Sequence, residues 1–221
     1  MPSPRRLAAA LALAALAPGC VGARNVADPT VVIQTEGGVE LGVSTEYGVV
    51  FLGRTARSGY IEITAFYGDG PSIESSVAIE PVGGGLYTVE PEIRLPTVPM
   101  TFIDPRPGDA VIVAGRSPSG KWEREVRVLR DERVFGILLE IPPELRERPD
   151  QVGAGVYWVP PYKEPRQKRL LGLVSGRLEL DTQDGTREFL TVVGPQDLWR
   201  LVTHRRDRLR RKPWVYREDI L

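Results

Sequence analysis

Residues 149–176 read PDQVGAGVYWVPPYKEPRQKRLLGLVSG. Two apolar runs, Ala154–Val159 and Arg169–Ser175, flank a loop rich in proline, lysine and arginine, the layout of two short strands with an exposed connection. Gly153-Ala154-Gly155 leads into the first run, and glycine there marks backbone that turns tightly or lies close to a neighbour. Trp158, Tyr162, Lys163, Arg166 and Lys168 border the loop. This aromatic and basic set either contacts a protein or glycan partner, or divides into core-filling aromatics and a merely soluble loop.

The rest of the chain has the same texture. Thr30–Gln34, Val39–Ser44, Gly48–Leu52, Tyr60–Phe66, Ser76–Glu80 and Leu86–Glu90 read as strands, and so do Ala110–Ala114, Glu123–Leu129, Val134–Ile141, Ala154–Val159, Leu170–Ser175 and Glu188–Val193. Several alternate with the period of half-buried antiparallel strands, as in Arg124-Glu125-Val126-Arg127-Val128. Gly37-Gly38, Gly83-Gly84-Gly85 and Asp184-Gly185 supply turns. The segment Pro91–Pro107 holds five prolines and divides the strands into two sets of six. The expected fold is therefore all-β, a barrel or sandwich architecture in two six-stranded antiparallel halves at about 30–95 and 106–193. One helix is expected at 195–212, because Pro195 and Asp197 suit its first turn while Leu198, Leu201, Val202 and Leu209 share a face. Residues 213–221 form a tail.

The N-terminus follows another logic. Arg5 and Arg6 precede the apolar run Leu7–Leu16, which is too short to span a bilayer and has the layout of a secretory signal. Ala17-Pro18-Gly19-Cys20 resembles the lipobox of bacterial lipoproteins, although Leu16 stands four places before the cysteine rather than three. The resemblance implies a signal peptide at 1–19, a lipid on Cys20, a tether over 20–29, and membrane attachment in the bacterial envelope at a periplasmic or outer-membrane face. The chain beyond residue 19 carries 27 basic and 29 acidic residues, a net charge of −2 with His neutral. That balance gives no footprint for nucleic acid. With Cys20 the sole cysteine, no disulfide forms within one chain, and the core must carry the fold.

Three stretches resemble trypsin-like serine proteases. Gly48-Val49-Val50-Phe51-Leu52 through Tyr60-Ile61-Glu62-Ile63-Thr64-Ala65-Phe66 is similar to that family's G-[FV]-[VL]-[VI] strand and ILTAAH. Arg106-Pro107-Gly108-Asp109-Ala110-Val111-Ile112-Val113-Ala114-Gly115 resembles the segment that opens its second barrel. Gly153-Ala154-Gly155-Val156-Tyr157 followed by Leu170-Leu171-Gly172-Leu173-Val174-Ser175-Gly176 resembles G-G-P-V-[FY] and L-x-G-[VI]-[VT]-S-G. The resemblance covers about residues 30–203 and implies a double barrel. It carries the family's histidine onto Phe66 or Tyr67, its aspartate onto Gly85, and its serine onto Val152, or onto Gln151 after a one-residue slip. None of these is a catalytic type. No Ser, Thr or Cys occurs between Ser119 and Ser175, and His204 is the sole histidine. A hydroxyl nucleophile needs an adjacent base, so the expectation is a triad-less domain that is no enzyme and acts by binding a partner or structurally.

Two alternatives stay open: a β-rich lipoprotein of unrelated fold, and a hydrolase using other residues. Six cations surround His204 from Arg205 to Lys212, either a patch for anionic lipid or a partner, or a solvated helix end. No cofactor or metal motif is present, since Gly83-Gly84-Gly85 lacks the Lys-Ser/Thr of a phosphate loop and His204 has no ligand-spaced companions.

Overall fold

Strands β1 (Thr30–Thr35), β2 (Gly38–Thr45), β3 (Gly48–Phe51), β4 (Tyr60–Tyr67), β5 (Gly70–Ala78), β6 (Glu80–Gly83) and β7 (Leu86–Val89) form one antiparallel sheet in the order β5-β4-β1-β2-β3-β7-β6. Its two outer strands, β5 and β6, are successive pieces of chain separated by Ile79 alone. One bent strand thus pairs with β4 along its first half and β7 along its second, wrapping the sheet into a barrel. The computed structural model describes residues 28–57, 59–67, 70–146, 151–161, 167–182 and 185–211. Cys20 and the signal, most of the tether, the tail, and Tyr162, Lys163 and Arg166 lie outside these residues.

The second barrel is closed in the order β10-β13-β12-β11-β8-β9. It comprises β8 (Ala110–Ser117), β9 (Gly120–Leu129), β10 (Ile137–Glu140), β11 (Gly155–Trp158), β12 (Arg169–Thr182) and β13 (Gly185–Val193), with a single-turn helix α1 (Pro143–Arg146) after β10. Closure comes from β10 meeting β9 at Leu138↔Leu129 and Leu139↔Val128. The alternation seen in the sequence is the in–out alternation of these strands, as in β9, where Trp122, Val126 and Val128 are buried between exposed charges. The fold is a trypsin-like double barrel with a C-terminal helix, α2 (Pro195–Arg211).

The proline-rich connector joins the barrels as a strap. Val98 donates to Ser44 O at 3.1 Å on the first barrel, while Thr101 donates to Leu170 O at 2.9 Å and Leu170 to Pro99 O at 2.8 Å on the second. Beneath it lies one apolar cluster drawn from both barrels, the strap and α2, including Val43, Leu52, Met100, Tyr157, Leu173 and Leu198.

Candidate functional site at the barrel junction

Strand β2 carries the first barrel into the second. Leu41 is buried among Trp122, Val156 and Leu171 of the second barrel's core. Gly153 is pressed against the same strand: its φ is +83°, and a Cβ there would overlap the Leu41 carbonyl oxygen. Only glycine meets both demands. Gly153 N–H donates to Val174 O at 2.8 Å, and Val174 N–H to Ala154 O at 2.9 Å, which seats the turn on β12. Gln151 opens the turn. It is 2% exposed, its amide donates to Leu145 O, and its Oε1 has no partner among the described residues.

The facing wall is the loop after β3. Thr55 donates through both its N–H and its hydroxyl to Glu40 Oε1, the hydroxyl at 2.7 Å. The Thr35 hydroxyl lies 2.8 Å from Thr55 Oγ1, completing a relay Thr35–Thr55–Glu40. Glu40 is 5% exposed, and its Oε2 has no partner among the described residues. Next to this relay, the Arg54 guanidinium reaches across to β12, with Nη1 and Nη2 3.7 and 3.8 Å from where a Cβ on Gly176 would stand. The Ser175 and Thr191 hydroxyls bond each other at 2.8 Å beside it. Chemically, the junction offers a carboxylate-bonded hydroxyl on the first barrel, and a cation and a hydroxyl pair beside Gly176 of β12.

These residues differ from those singled out in the sequence. Phe66 is half-buried on β4 with the Arg116 guanidinium 3.8 Å above its ring, and Arg116 pairs with Asp28 at 3.1 Å. Tyr67 closes β4. Gly85 sits in the turn between β6 and β7, whose Gly83 and Gly84 lie against Arg200 and Asp197 of α2. Val152 packs on the cluster under the strap. Each has its own neighbours; at the junction it is Leu41 and Arg54 of the first barrel that lie against Gly153 and Gly176 of the second. The slip from Val152 to Gln151 gives the position at the mouth of the turn. Glu40 and Thr55 were not picked out; the available signal was a single charge, Glu40, inside an otherwise uncharged strand.

Trp158 requires a correction. It is 4% exposed within the second barrel's core, so it does not line a binding surface. All four residues of β11 are buried, with neighbouring strands on both edges and the strap's cluster behind, so its aromatics fill the core. Lys168 binds Glu123 Oε1 at 2.9 Å and lies 4.6 Å from the Tyr157 ring centre. Burial raises the Glu123 pKa, but hydrogen bonds from Lys121 and Lys168 outweigh it and leave the carboxyl below its usual range. Burial pushes the Tyr157 hydroxyl well above its ordinary range, with the Asp28 charge adding to the effect. Among the described residues, no group of three His, Cys, Asp or Glu side chains is placed to hold a metal ion.

No protein-family model matches the chain, and no curated protein matches it. Solved structures do. The MamO protease domain of Magnetospirillum magneticum, in its apo form, aligns with a TM-score of 0.55 at 16% identity, covering 82% of this chain and 97% of that one. A serine endoprotease of Yersinia pestis gives 0.54 at 16% identity over 82% of this chain and 64% of its own. The serine protease of a human pathogenic astrovirus gives 0.51 at 14%, over 76% and 91%. At these identities the likeness is one of fold. It nevertheless overturns the expectation of a non-enzyme: all three neighbours are named as proteases, and the framework is one that carries peptide hydrolysis.

Proposed function

We propose that this chain is an envelope lipoprotein, anchored through Cys20, whose double barrel takes extended polypeptide onto the open edge of β12. The observation that supports it is the half-paired strand. β12 bonds β11 as far as Leu173 and Val174, then continues from Ser175 to Thr182 with β13 as its one strand partner among the described residues, while Arg133 donates to Asp181 O at 3.1 Å and Arg177 to the Leu145 and Arg146 carbonyls of α1. Such an edge directs alternate N–H and C=O groups outward and accepts a further strand. It runs out from the junction between Gln151 and Arg54. The test is fluorescence anisotropy of the purified chain with labelled, unfolded casein peptides. Saturable binding that weakens when alternate peptide nitrogens are methylated is the expected result; casein peptides that do not bind would sink the proposal. For the anchor, radiolabelled palmitate should enter the wild-type chain in cells and be absent from Cys20→Ser.

A second reading, peptide hydrolysis, is favoured by the Thr55–Glu40 contact on a protease-like framework. Thr55 Oγ would attack the peptide carbonyl carbon as its proton passes to Glu40, and that proton would then leave on the departing amine. Glu40 would then take a proton from water, the hydroxide would attack the acyl carbon, and Thr55 Oγ would leave as it recovers that proton from Glu40. Mass spectrometry of the same casein peptides decides it: cleavage lost in Thr55→Val with binding kept supports turnover, and no cleavage by the wild type removes it.

A further inference from the structure

Polar groups from both barrels converge over Gly176. Gly176 has no side chain, and a Cβ there would stand in van der Waals contact with Arg54 Nη1 and Nη2 from the first barrel and with Thr191 Oγ1, 3.8 Å away, from the second. The Ser175 hydroxyl joins them through its 2.8 Å bond to Thr191. Arg54 is exposed, and no carboxylate pairs with it among the described residues. The nearby carboxylate of Glu40 is buried and bonded to Thr55 instead.

A guanidinium fork beside two hydroxyls suits a carboxylate, which accepts several charge-assisted hydrogen bonds at once. We propose that this cluster is an anionic subsite, so that the polypeptide laid along β12 is selected for a carboxylate held by Arg54, Ser175 and Thr191. The proposal rests on the edge-binding function above and adds its specificity. Arg54 sits on one barrel and the edge on the other, so the subsite exists only where the two are joined.

The test uses labelled nonapeptides of one framework, with a central Glu, Gln or Lys and an amidated C-terminus, and a fourth with Gln and a free C-terminal carboxylate. The Glu peptide, the free-carboxylate peptide, or both should bind about tenfold more tightly than the amidated Gln peptide. Which of them does so tells a side chain from a chain end. Arg54→Ala should remove that preference, and Arg54→Glu should transfer it to the Lys peptide. Gly176→Leu puts a side chain among these groups without needing a forbidden φ, and should bring the carboxylate peptides down to the Gln level. Equal binding of all four peptides, or a preference that survives Arg54→Ala, overturns the subsite and leaves the edge function standing. Failure of every peptide to bind, Gln included, overturns both.

Discussion

Gly153 is held by two independent constraints, a left-handed φ and the Leu41 carbonyl where a side chain would begin. Replacing it with alanine cannot be absorbed by a rotamer change, because both obstacles are backbone. Gly153→Ala should cost about 1–3 kcal/mol from strain alone, seen as a lower urea midpoint with an unchanged slope. The need for glycine at this residue was legible in Gly153-Ala154-Gly155. Its partner was not. In β2 the apolar Val39 is 59% exposed and the charged Glu40 only 5%. The strand lies at the junction, where Leu41 enters the other barrel and the loop bearing Thr55 covers Glu40. A period of two describes one buried face and is blind to a strand covered on both.

At the scale of elements, the strap and α2 show what composition conveys and what it hides. Five prolines correctly marked Pro91–Pro107 as a connector between barrels. They gave no sign that Val98 and Thr101 bond to opposite barrels, since main-chain bonds leave no residue signature. Met100, 4% exposed, is a buried side chain of the strap. Met100→Ala should cost about 2–5 kcal/mol, measurable by thermal or urea unfolding, a loss far beyond that expected for an exposed linker. In α2, Leu198 and Leu201 are buried as their spacing implied. Its cations are partly committed to the first barrel: Arg208 bridges Glu80 and Glu90 at 2.9 Å each, and Arg205 donates to Glu46 O. A run of arginines in a sequence looks the same whether it faces solvent or glutamates contributed by distant strands.

For the whole molecule, the decisive feature is that the strap's apolar cluster belongs to neither barrel. Leu52, Met100, Leu173 and Leu198 contribute to it together, so unfolding one barrel exposes the other's core. Urea unfolding should therefore be a single transition, coincident by tryptophan fluorescence and far-ultraviolet circular dichroism; two separated midpoints would show independent barrels. The succession of strands was readable from hydrophobic periodicity and turn residues in chain order, and the double-barrel plan from the family resemblance of three segments. The junction was not, because Glu40, Arg54, Gln151 and Gly176 come together only after both barrels close.

The contact between Asp28 and Arg116 joins the residue just ahead of β1 in the first barrel to β8 in the second. Any pull on the N-terminus, such as a tether to a membrane would exert, is therefore divided between the two barrels before it reaches the first strand. The load is borne on both sides of the seam at once. Under tension, the groove between the barrels should hold its shape as long as the Asp28–Arg116 pair does.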